Sequence, residues 1–452
     1  MGNSSMIASL FQPDLSRPDA SDAFRLLGAI DEFKGNWKKI KELRAERLAG
    51  LRQVATIESS GSSTRIEGAE LSDQEVAQVL GGLSISGLRN RDASEVLGYG
   101  ELLQTIFDGY QDIPLEERFI QQLHGILLRH SEADAWHRGK YKTNPNHVEA
   151  RYPDGRTEII FRTASPFETP ARMESLVAST NDGLSQSIAH PLIVIARFVV
   201  DLLAIHPFQD GNGRLSRALT TLLLLRSGYE YVPYASLERV VENNKVPYYA
   251  ALRGSQTAMR SEPSAFGPWL MFLLRCLRAQ QADLLAKLDI ERSMASLSDA
   301  QKKIIDLVDS NRSVTSTLLA ERLAMPVRTV RYHLDILIQQ GLLVPQGEKR
   351  GRRYTRSTGG PSDVSVRDSK TAAILAAILQ GGGRISSEEL AEMVGRHGYD
   401  PRVVGTLHGK RLAHLRRDGA TGMSELTLRG REVAEQYMFA RRLAEGARRD
   451  PV

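Results

Sequence analysis

Hydrophobic residues recur every three to four positions along most of residues 22–290, which is the spacing of helices with one buried face. Residues 115–130 show this pattern well, because their large apolar side chains share one helical face: Phe119, Ile120, Leu123, Ile126 and Leu127. Residues 191–205 are almost continuously apolar, which predicts a fully buried helix that ends just before His206. Another helix is predicted to begin within residues 211–225. The pattern therefore predicts a mainly α fold.

The helical pattern is interrupted between residues 139 and 161. Residues 142–150 are polar and predicted to be extended, YPDG at 152–155 is typical of a turn, and TEIIF at 157–161 is typical of a short strand. We therefore predict a single β-hairpin inside the helical domain. Its exposed edge is suited to pairing with an extended segment of another protein, and a purely solvated excursion is an equally good interpretation.

From residue 297 onward the pattern changes to a smaller format. Three amphipathic helices are predicted at 299–310, 316–323 and 327–340, followed by a hairpin whose turn is basic: Lys349, Arg350, Arg352 and Arg353. A winged helix-turn-helix has this order of elements: two helices, a turn, a third helix and a basic wing. A polar linker then leads to a second unit of the same size, with elements predicted at 370–379, 387–394 and 401–418.

Length and composition bound the number of domains and the class of protein. A chain of 452 residues is too long for one core, so its length predicts two to four domains. Together with the changes of pattern along the chain, we predict four regions: 1–110, 111–290, 291–358 and 366–445. The single cysteine, Cys276, excludes a disulfide framework, and the net charge of +5 permits local contact with nucleic acid without arguing for it. The longest apolar tract is too short and too charged to cross a membrane. We therefore predict a cytoplasmic protein without a membrane partner, and leave a homodimer open.

The densest candidate chemistry lies in HPFQDGNGRLSR, residues 206–217. His206 is suited to taking a proton near neutral pH, and Asp210 offers a hard oxygen ligand for Mg²⁺. The amides of Gly211, Asn212 and Gly213 at a helix N-terminus favour an anion, and Arg214 and Arg217 project from one face of the first turn. Any one of these features alone is more often structural, but together they favour a polyphosphate site.

This motif resembles the Fic-family signature HPFx[DE]GNGRxxR, with all nine fixed positions met. The resemblance spans residues 20–285. It implies a Fic helical fold with the β-hairpin as a flap, and transfer of AMP from ATP to a Ser, Thr or Tyr hydroxyl of a target protein. By the same resemblance, His206 is the catalytic base, Asp210 holds Mg²⁺, and the nucleotide is bound by a larger set: Gly211, Asn212 (amide and side chain), Gly213, Arg214, Arg217, Asn244 and Tyr248. Core packing is an equally good interpretation for Tyr248.

A second motif lies upstream, in STRIEG at residues 63–68. On its own it is typical of a helix end with a glycine cap. In a Fic-like protein it resembles the inhibitory motif [ST]xxxE[GN], with Ser63, Glu67 and Gly68 at its fixed positions. The resemblance implies that Glu67 pairs with Arg217 and occupies the space of the γ-phosphate. Removal of AMP from the target, for which some relatives use the same Glu, is kept as a further activity.

The predicted third helix of the first winged unit carries residues that can hydrogen-bond to DNA: Arg328, Thr329, Arg331, Tyr332 and His333. With Arg350, Arg352 and Arg353 on the wing, this unit is predicted to bind DNA, and a protein-binding winged helix is the alternative. The second unit, with Arg411, His414, Arg416 and Arg417, favours neither interpretation. Two further hypotheses follow for the chain: a DNA-binding regulator whose Fic domain senses nucleotide, and a Fic fold that transfers a different group.

Overall fold

The structure is a computed structural model. It describes residues 8–43, 45–83, 90–151, 157–295, 297–311, 313–339, 342–346, 352–356, 374–375, 377–379, 384–396, 413–418 and 421–426. The chain divides into two compact units, Met1–Gln281 and Ala282–Val452, and each is described by itself. Among these residues, no helix is long and apolar enough to cross a membrane.

The first unit is mainly helical, which confirms the predicted fold class. In chain order its elements are α1 (Arg17–Leu43), α2 (Ala45–Ile66), α3 (Asp73–Leu80), α4 (Asn90–Gly109), α5 (Glu117–Leu127), β1 (Val148–Arg151), β2 (Thr157–Phe161), α6 (Thr169–Ser185), α7 (Pro191–Ile205), α8 (Asn212–Arg226), a 3₁₀ turn (Val232–Tyr234), α9 (Leu237–Asn243), α10 (Lys245–Ala258) and α11 (Gly267–Ala295), which continues past the unit boundary.

Helix α7 lies at the centre of this unit, as its apolar sequence predicts. Phe198 and Val200 are fully buried, and the helix packs against α6, α8 and α10. It begins with Pro191 in the first turn, where the missing N–H costs nothing, and the His190 side chain accepts a hydrogen bond from the Leu192 N–H at 3.2 Å. Because a helix buried on all sides cannot shift easily, α7 is a rigid support for the residues that follow it.

The predicted hairpin is present as β1 and β2, which pair antiparallel with Glu149 opposite Ile159 and Arg151 opposite Thr157. The predicted turn at 152–155 lies outside the described residues. No third strand joins this pair among the residues that the structure describes. The hairpin therefore keeps unpaired backbone edges, which is the condition for adding a further strand.

Helix α2 carries the second sequence motif at its C-terminal end. The helix ends at Ile66, and Gly68 adopts a left-handed conformation with φ of 106°, which a glycine accepts without strain. The next helix, α3, starts with a capping box: the Ser72 side chain accepts from the Glu75 N–H, and the Glu75 carboxylate accepts from the Ser72 N–H at 2.8 Å. The chain therefore turns sharply just after Glu67.

The first part of the second unit has the winged-helix architecture. Its elements are α12 (Asp299–Asn311), β3 (Val314–Thr315), α13 (Ser316–Leu323), α14 (Val327–Gln339), β4 (Leu343–Gln346) and β5 (Arg353–Arg356). The strands form one antiparallel sheet in the order β3-β5-β4. The hydrophobic core of this winged-helix region contains Ile304, Leu319 and Leu334, one from each helix. The short strand β3, which the sequence did not predict, connects the helices to the wing.

The last six residues of the element predicted at 401–418 form a strand, and residues 401–412 lie outside the described residues. The described elements here are β6 (Arg384–Ser386), α15 (Ser387–Arg396), β7 (Ala413–Asp418) and β8 (Thr421–Leu426), and β7 is a strand. Strands β7 and β8 pair antiparallel from Ala413–Leu426 to Asp418–Thr421, and β6 pairs with β8. Pairing with β8 along its whole length makes residues 413–418 a strand. His414, Arg416 and Arg417 lie on β7, and Arg411 lies outside the described residues.

Candidate active site

The loop that follows α7 places His206 at the end of the buried helix. His206 adopts a left-handed backbone conformation (φ 54°, ψ 61°), and its N–H donates to the Leu202 carbonyl at 2.8 Å. A non-glycine residue in this region carries a strain of roughly 1–2 kcal/mol, so neighbouring contacts must hold it. Pro207 then prevents the helix from continuing. The chain therefore turns away with the His206 ring at the turn.

The environment of His206 suits a proton acceptor. Burial lowers the pKa of His206 to about 4, with a further contribution from the Lys142 ammonium. The imidazole is therefore neutral at ordinary pH. Its Nδ1 lies 3.4 Å from the Leu203 carbonyl oxygen, which can only accept, so this contact favours the proton on Nδ1. Nε2 is then left with a free lone pair, as a general base requires.

The loop between His206 and α8 is held by the Asn212 amide. Asn212 Oδ1 accepts from the Phe208 N–H at 2.9 Å, and Asn212 Nδ2 donates to the Phe208 carbonyl at 2.7 Å. Phe208 is fully buried and anchors the loop in the core. The Asn212 side chain, which the resemblance assigns to phosphate, is therefore committed to the loop backbone in this structure, and the backbone N–H at the start of α8 is the part of Asn212 directed toward a ligand.

A histidine that sequence reasoning did not single out supports the far side of the loop. His124 of α5 is fully buried and stacks on Phe208, with ring centroids 3.8 Å apart. Its Nδ1 accepts from the Gly139 N–H at 3.0 Å, so Nε2 carries the proton and donates to the Asp210 carbonyl at 3.0 Å. Burial lowers the pKa of His124 to about 4, which keeps this arrangement neutral. In the sequence, a lone histidine on an apolar helix face gives no signal of this contact.

Helix α8 begins at the loop with its amides directed outward. Gly211 has φ of 77°, and Gly213 has no room for a side chain, because an added Cβ would collide with the Glu67 carboxylate. The helix dipole favours negative charge at this end. An anionic oxygen can therefore approach the first turn closely, and in this structure the anion that lies there is Glu67.

Arg214 and Asp210 stand beside this helix end. The Arg214 guanidinium is buried, and its Nε and Nη1 make no hydrogen bond within the part of the chain that the structure describes. Nη1 lies 3.4 Å from Glu95 Oε1, and Nη2 lies 3.5 Å from Asp210 Oδ2. Buried N–H groups without hydrogen-bond partners are uncommon and mark a place where a ligand would supply acceptors. A phosphate oxygen meets that requirement.

Asp210 has the properties of a magnesium ligand. Burial opposes its ionisation, but Arg214 and a 2.7 Å hydrogen bond from the Gly211 N–H outweigh this and lower the pKa of Asp210 below its usual value. The carboxylate is half-exposed and ionised at ordinary pH. Among the described residues no cluster of three or more metal-binding side chains is found. Mg²⁺ here would therefore depend on Asp210 together with phosphate oxygens and water, as Mg²⁺ commonly does.

The structure brings Arg217 together with the upstream motif. The buried Arg217 guanidinium donates to Ser63 Oγ from Nε and to the Ser63 carbonyl from Nη2, both at 3.0 Å. Nη2 also donates to Glu67 Oε1 at 2.8 Å. Burial disfavours the charged guanidinium, yet the adjacent Glu67 carboxylate raises the pKa of Arg217 above its usual value. Ser63 and Glu67 thus occupy donors that would otherwise face the helix end.

Two carboxylates of α9 hold helix α2 in this position. Glu238 is buried and accepts from Ser59 and Tyr99, each at 2.7 Å. Glu242 pairs with Arg65, which lies just before Ile66 at the end of α2, and Arg65 Nε lies 2.6 Å from Glu242 Oε1. Arg65 also donates to Asp73 at 3.0 Å and to the Leu71 carbonyl at 2.7 Å. Arg65 thus binds both Glu242 and Asp73, and we call these three residues the latch. The latch fixes the backbone on both sides of Glu67.

Of the two residues predicted to contact ribose and base, Asn244 presents no free group to the helix end, and Tyr248 lies beside Arg217 of α8. The Asn244 amide donates to the Val240 carbonyl at 2.8 Å and ends α9. Tyr248 is buried among Trp269 and Phe272, which agrees with the core interpretation. Its neighbour Tyr249 is partly exposed, and its hydroxyl lies 3.4 Å from the Ile66 carbonyl beside Glu67. Both tyrosines therefore adjoin the Glu67–Arg217 pair, which their positions in the sequence do not reveal.

The winged helix presents part of its predicted basic surface. Arg328, Arg331 and Tyr332 are exposed on α14, and Arg352 and Arg353 are exposed at the start of β5. Arg353 also donates to Ser313 Oγ at 3.2 Å. Arg350 lies outside the described residues. The third helix thus carries two exposed guanidiniums spaced three residues apart, so they share one face.

Two segments of the chain match known protein families. Residues 114–224 match the Fic/DOC family, and residues 297–344 match the winged helix-turn-helix DNA-binding family. The chain therefore carries a Fic domain followed by a winged helix.

Relatives and solved structures were found for the Fic part of the chain. The protein adenylyltransferase Fic of Drosophila mojavensis is 28% identical over 207 residues, which cover 45% of this chain and 38% of that protein. The Drosophila melanogaster protein of the same name is 29% identical over 148 residues, or 32% of this chain and 27% of that protein. The chain thus spans well under half the length of these curated relatives. A Fic family protein from Desulfovibrio desulfuricans G20 is 21% identical with a TM-score of 0.49, over 77% of this chain and 98% of that chain. A Fic domain containing signaling protein from Bacteroides thetaiotaomicron VPI-5482 is 28% identical with a TM-score of 0.49, over 57% of this chain and 95% of that chain.

Proposed function

We propose that this chain is a protein adenylyltransferase that moves AMP from ATP to a hydroxyl of a target protein. The observation that carries the proposal is the convergence of a neutral His206, the ionised Asp210 and the guanidiniums of Arg214 and Arg217 on one helix N-terminus. The curated relatives named above as protein adenylyltransferases support the same activity.

In this reaction the acceptor hydroxyl oxygen forms a bond to the α-phosphorus of ATP, and the bond from that phosphorus to the bridging oxygen of pyrophosphate breaks. His206 Nε2 takes the hydroxyl proton. The N–H groups at the start of α8 and the free donors of Arg214 stabilise the negative charge on the phosphates. Mg²⁺, held by Asp210, would supply charge neutralisation between the phosphates. Catalysis then depends on positioning and electrostatics, because the chain contributes no covalent intermediate.

We infer that the enzyme rests in an inhibited state. Arg217 can bind the γ-phosphate only after Glu67 leaves it, because both anions need the same donor at the same helix end. A carboxylate and a phosphate compete directly for one guanidinium. Because some Fic relatives resembling this chain use the glutamate at the position of Glu67 to remove AMP, removal of AMP is kept as a second activity of the same site.

Labelled ATP tests the transferase proposal. The Glu67→Gly variant is incubated with ATP labelled in the α-phosphate and a host lysate, and labelled proteins are identified by mass spectrometry. We expect labelling well above that by the wild-type chain, and none by a variant that also carries His206→Ala. Equal labelling with and without His206 would contradict the assignment of the base, and no labelling by Glu67→Gly in any lysate would contradict the transferase itself.

A second function is favoured by α14 and its exposed arginines. We propose that the winged helix binds duplex DNA, so that the chain can act as a transcriptional regulator whose Fic domain responds to nucleotide. The match of residues 297–344 to a DNA-binding family supports this proposal. Transferase activity on a physiological target would separate the first function from a role in nucleotide sensing alone.

A further inference from the structure

A polar cluster beneath the catalytic loop has no part in the function proposed so far. It consists of Lys142, Asn146 and Thr163, and we call it the hairpin-base cluster. Asn146 lies two residues before β1, and Thr163 lies two residues after β2. The cluster therefore closes the base of the hairpin, at the place where its two ends meet the loop.

The Asn146 amide uses all of its hydrogen-bonding capacity. Its Oδ1 accepts from Lys142 Nζ at 2.8 Å and from Thr163 Oγ1 at 3.1 Å. Its Nδ2 donates to the His206 carbonyl at 3.1 Å and to the Phe208 carbonyl at 2.5 Å. Because a lysine ammonium only donates, the amide oxygen must face Lys142, and the NH₂ group must face the loop. The orientation of this amide is therefore determined by its partners.

Lys142 makes two hydrogen bonds of its own to the same loop. Its Nζ donates to the Ile205 carbonyl at 2.9 Å, and its backbone N–H donates to the Pro207 carbonyl at 2.8 Å. The side chain is almost fully buried. Four consecutive carbonyls, from residue 205 to residue 208, are thus bonded to Lys142 or Asn146. This is the stretch that contains the strained left-handed backbone of His206.

We propose that Asn146 is a positioning residue, oriented by Lys142 and Thr163, that holds His206 in its reactive conformation and connects it to the hairpin. This inference rests on the transferase function proposed above. A target segment that pairs with the hairpin would then be placed, through one amide, at a fixed distance from the base. Misplacement of a reacting group by an ångström can reduce a rate on the order of 100-fold without loss of binding.

The test uses Asn146→Asp in the Glu67→Gly background. The substitution keeps the size of the side chain and its contact with Lys142, but it replaces the NH₂ donor with an oxygen that faces two carbonyl oxygens. We expect the turnover number to fall on the order of 100-fold, while the dissociation constant for ATP stays within about twofold. Asn144→Asp makes the same chemical change two residues away on an exposed side chain and should alter neither quantity.

Backbone hydrogen exchange provides a readout that does not require activity. In Asn146→Asp, the amides of residues 206 and 208–211 should exchange about tenfold faster, because the loop loses two hydrogen bonds, and in Asn144→Asp they should not. Unchanged turnover, or unchanged exchange, in Asn146→Asp would overturn the proposal. So would a joint loss of ATP binding and thermal stability in both Asn146→Asp and Lys142→Met, which would indicate a purely structural role. If the Glu67→Gly parent transfers no AMP, the transferase proposal fails, and the exchange experiment still decides the role of Asn146.

Discussion

The competition between Glu67 and ATP for Arg217 can be tested by removing the carboxylate in two steps. In the structure Glu67 Oε1 accepts from Arg217 Nη2 at 2.8 Å. On the proposed function, ATP would have to break this contact before its γ-phosphate could replace it. Glu67→Gln keeps the shape and one acceptor but removes the charge. Glu67→Gly removes the whole contact. The left-handed conformation at this turn belongs to Gly68, which the substitution does not change.

The size of each step follows from the kind of hydrogen bond that is lost. A bond to a charged group contributes about 1.5–3 kcal/mol and a neutral one about 0.5–1.5 kcal/mol. Because the Glu67 side chain is 37% exposed, screening by water favours the lower values. Glu67→Gln should then strengthen ATP binding about fivefold, and Glu67→Gly about 10- to 30-fold, since 1.4 kcal/mol corresponds to a factor of ten.

The assay is ATP binding by titration calorimetry in chains that also carry His206→Ala, so that no ATP is consumed. The exposed Glu70→Gln serves as a matched control, because it removes an equal charge three residues away. The reasoning is refuted if all three chains bind ATP with the affinity of the His206→Ala parent. It is also refuted if Gln binds more tightly than Gly, because the order must follow the strength of the lost contact.

Three further predictions concern the base, the latch and the winged helix. Since burial lowers the pKa of His206 to about 4, the imidazole is neutral above that pH, so kcat/KM of Glu67→Gly should stay level from pH 8 to pH 5; a decline centred near 6.5 would contradict this. Arg65→Met breaks the latch and should raise AMP transfer by the wild-type chain several-fold, yet add nothing in the Glu67→Gly background; equal effects in both backgrounds would count against the latch. Arg328→Ala and Arg331→Ala in the full chain should each weaken duplex binding in fluorescence anisotropy and reduce the slope of log affinity against log salt by about one, whereas Lys302→Ala on α12 should not; binding that does not depend on salt would oppose the DNA proposal.

The sequence was most informative where chemistry and local pattern coincide. The apolar run at 191–205 predicted α7 with its correct end, and the motif that follows indicated which side chains gather at the start of α8. The pairing of Glu67 with Arg217 could be expected only from the resemblance, since 150 residues separate them. Their contact depends on how α2 packs against α8 and α9, and no local pattern encodes that packing.

Other residues were missed because their role depends entirely on tertiary structure. His124 lies on an apolar helix face like any buried histidine, and Asn146 lies in a polar stretch like any loop residue. Each contacts backbone carbonyls of the loop from a distant part of the chain, and backbone partners leave no mark in the sequence. The strand at Ala413–Asp418 was not recognised within the element predicted at 401–418 for a related reason, because its partner strand, and not its own composition, decides its conformation.

The absence of a side chain at Gly213 has a consequence for how such an enzyme would be controlled. The Glu67 carboxylate occupies the space beside Gly213 at the first turn of α8. On the proposed function, a phosphate would bind in the same space, so inhibition would need no separate regulatory pocket. The two anions would then exclude each other, and the fraction of open molecules would vary continuously with the supply of ATP. On the proposed function, the chain would therefore report the energy state of the cell through its own substrate, before any partner or modification acts on it.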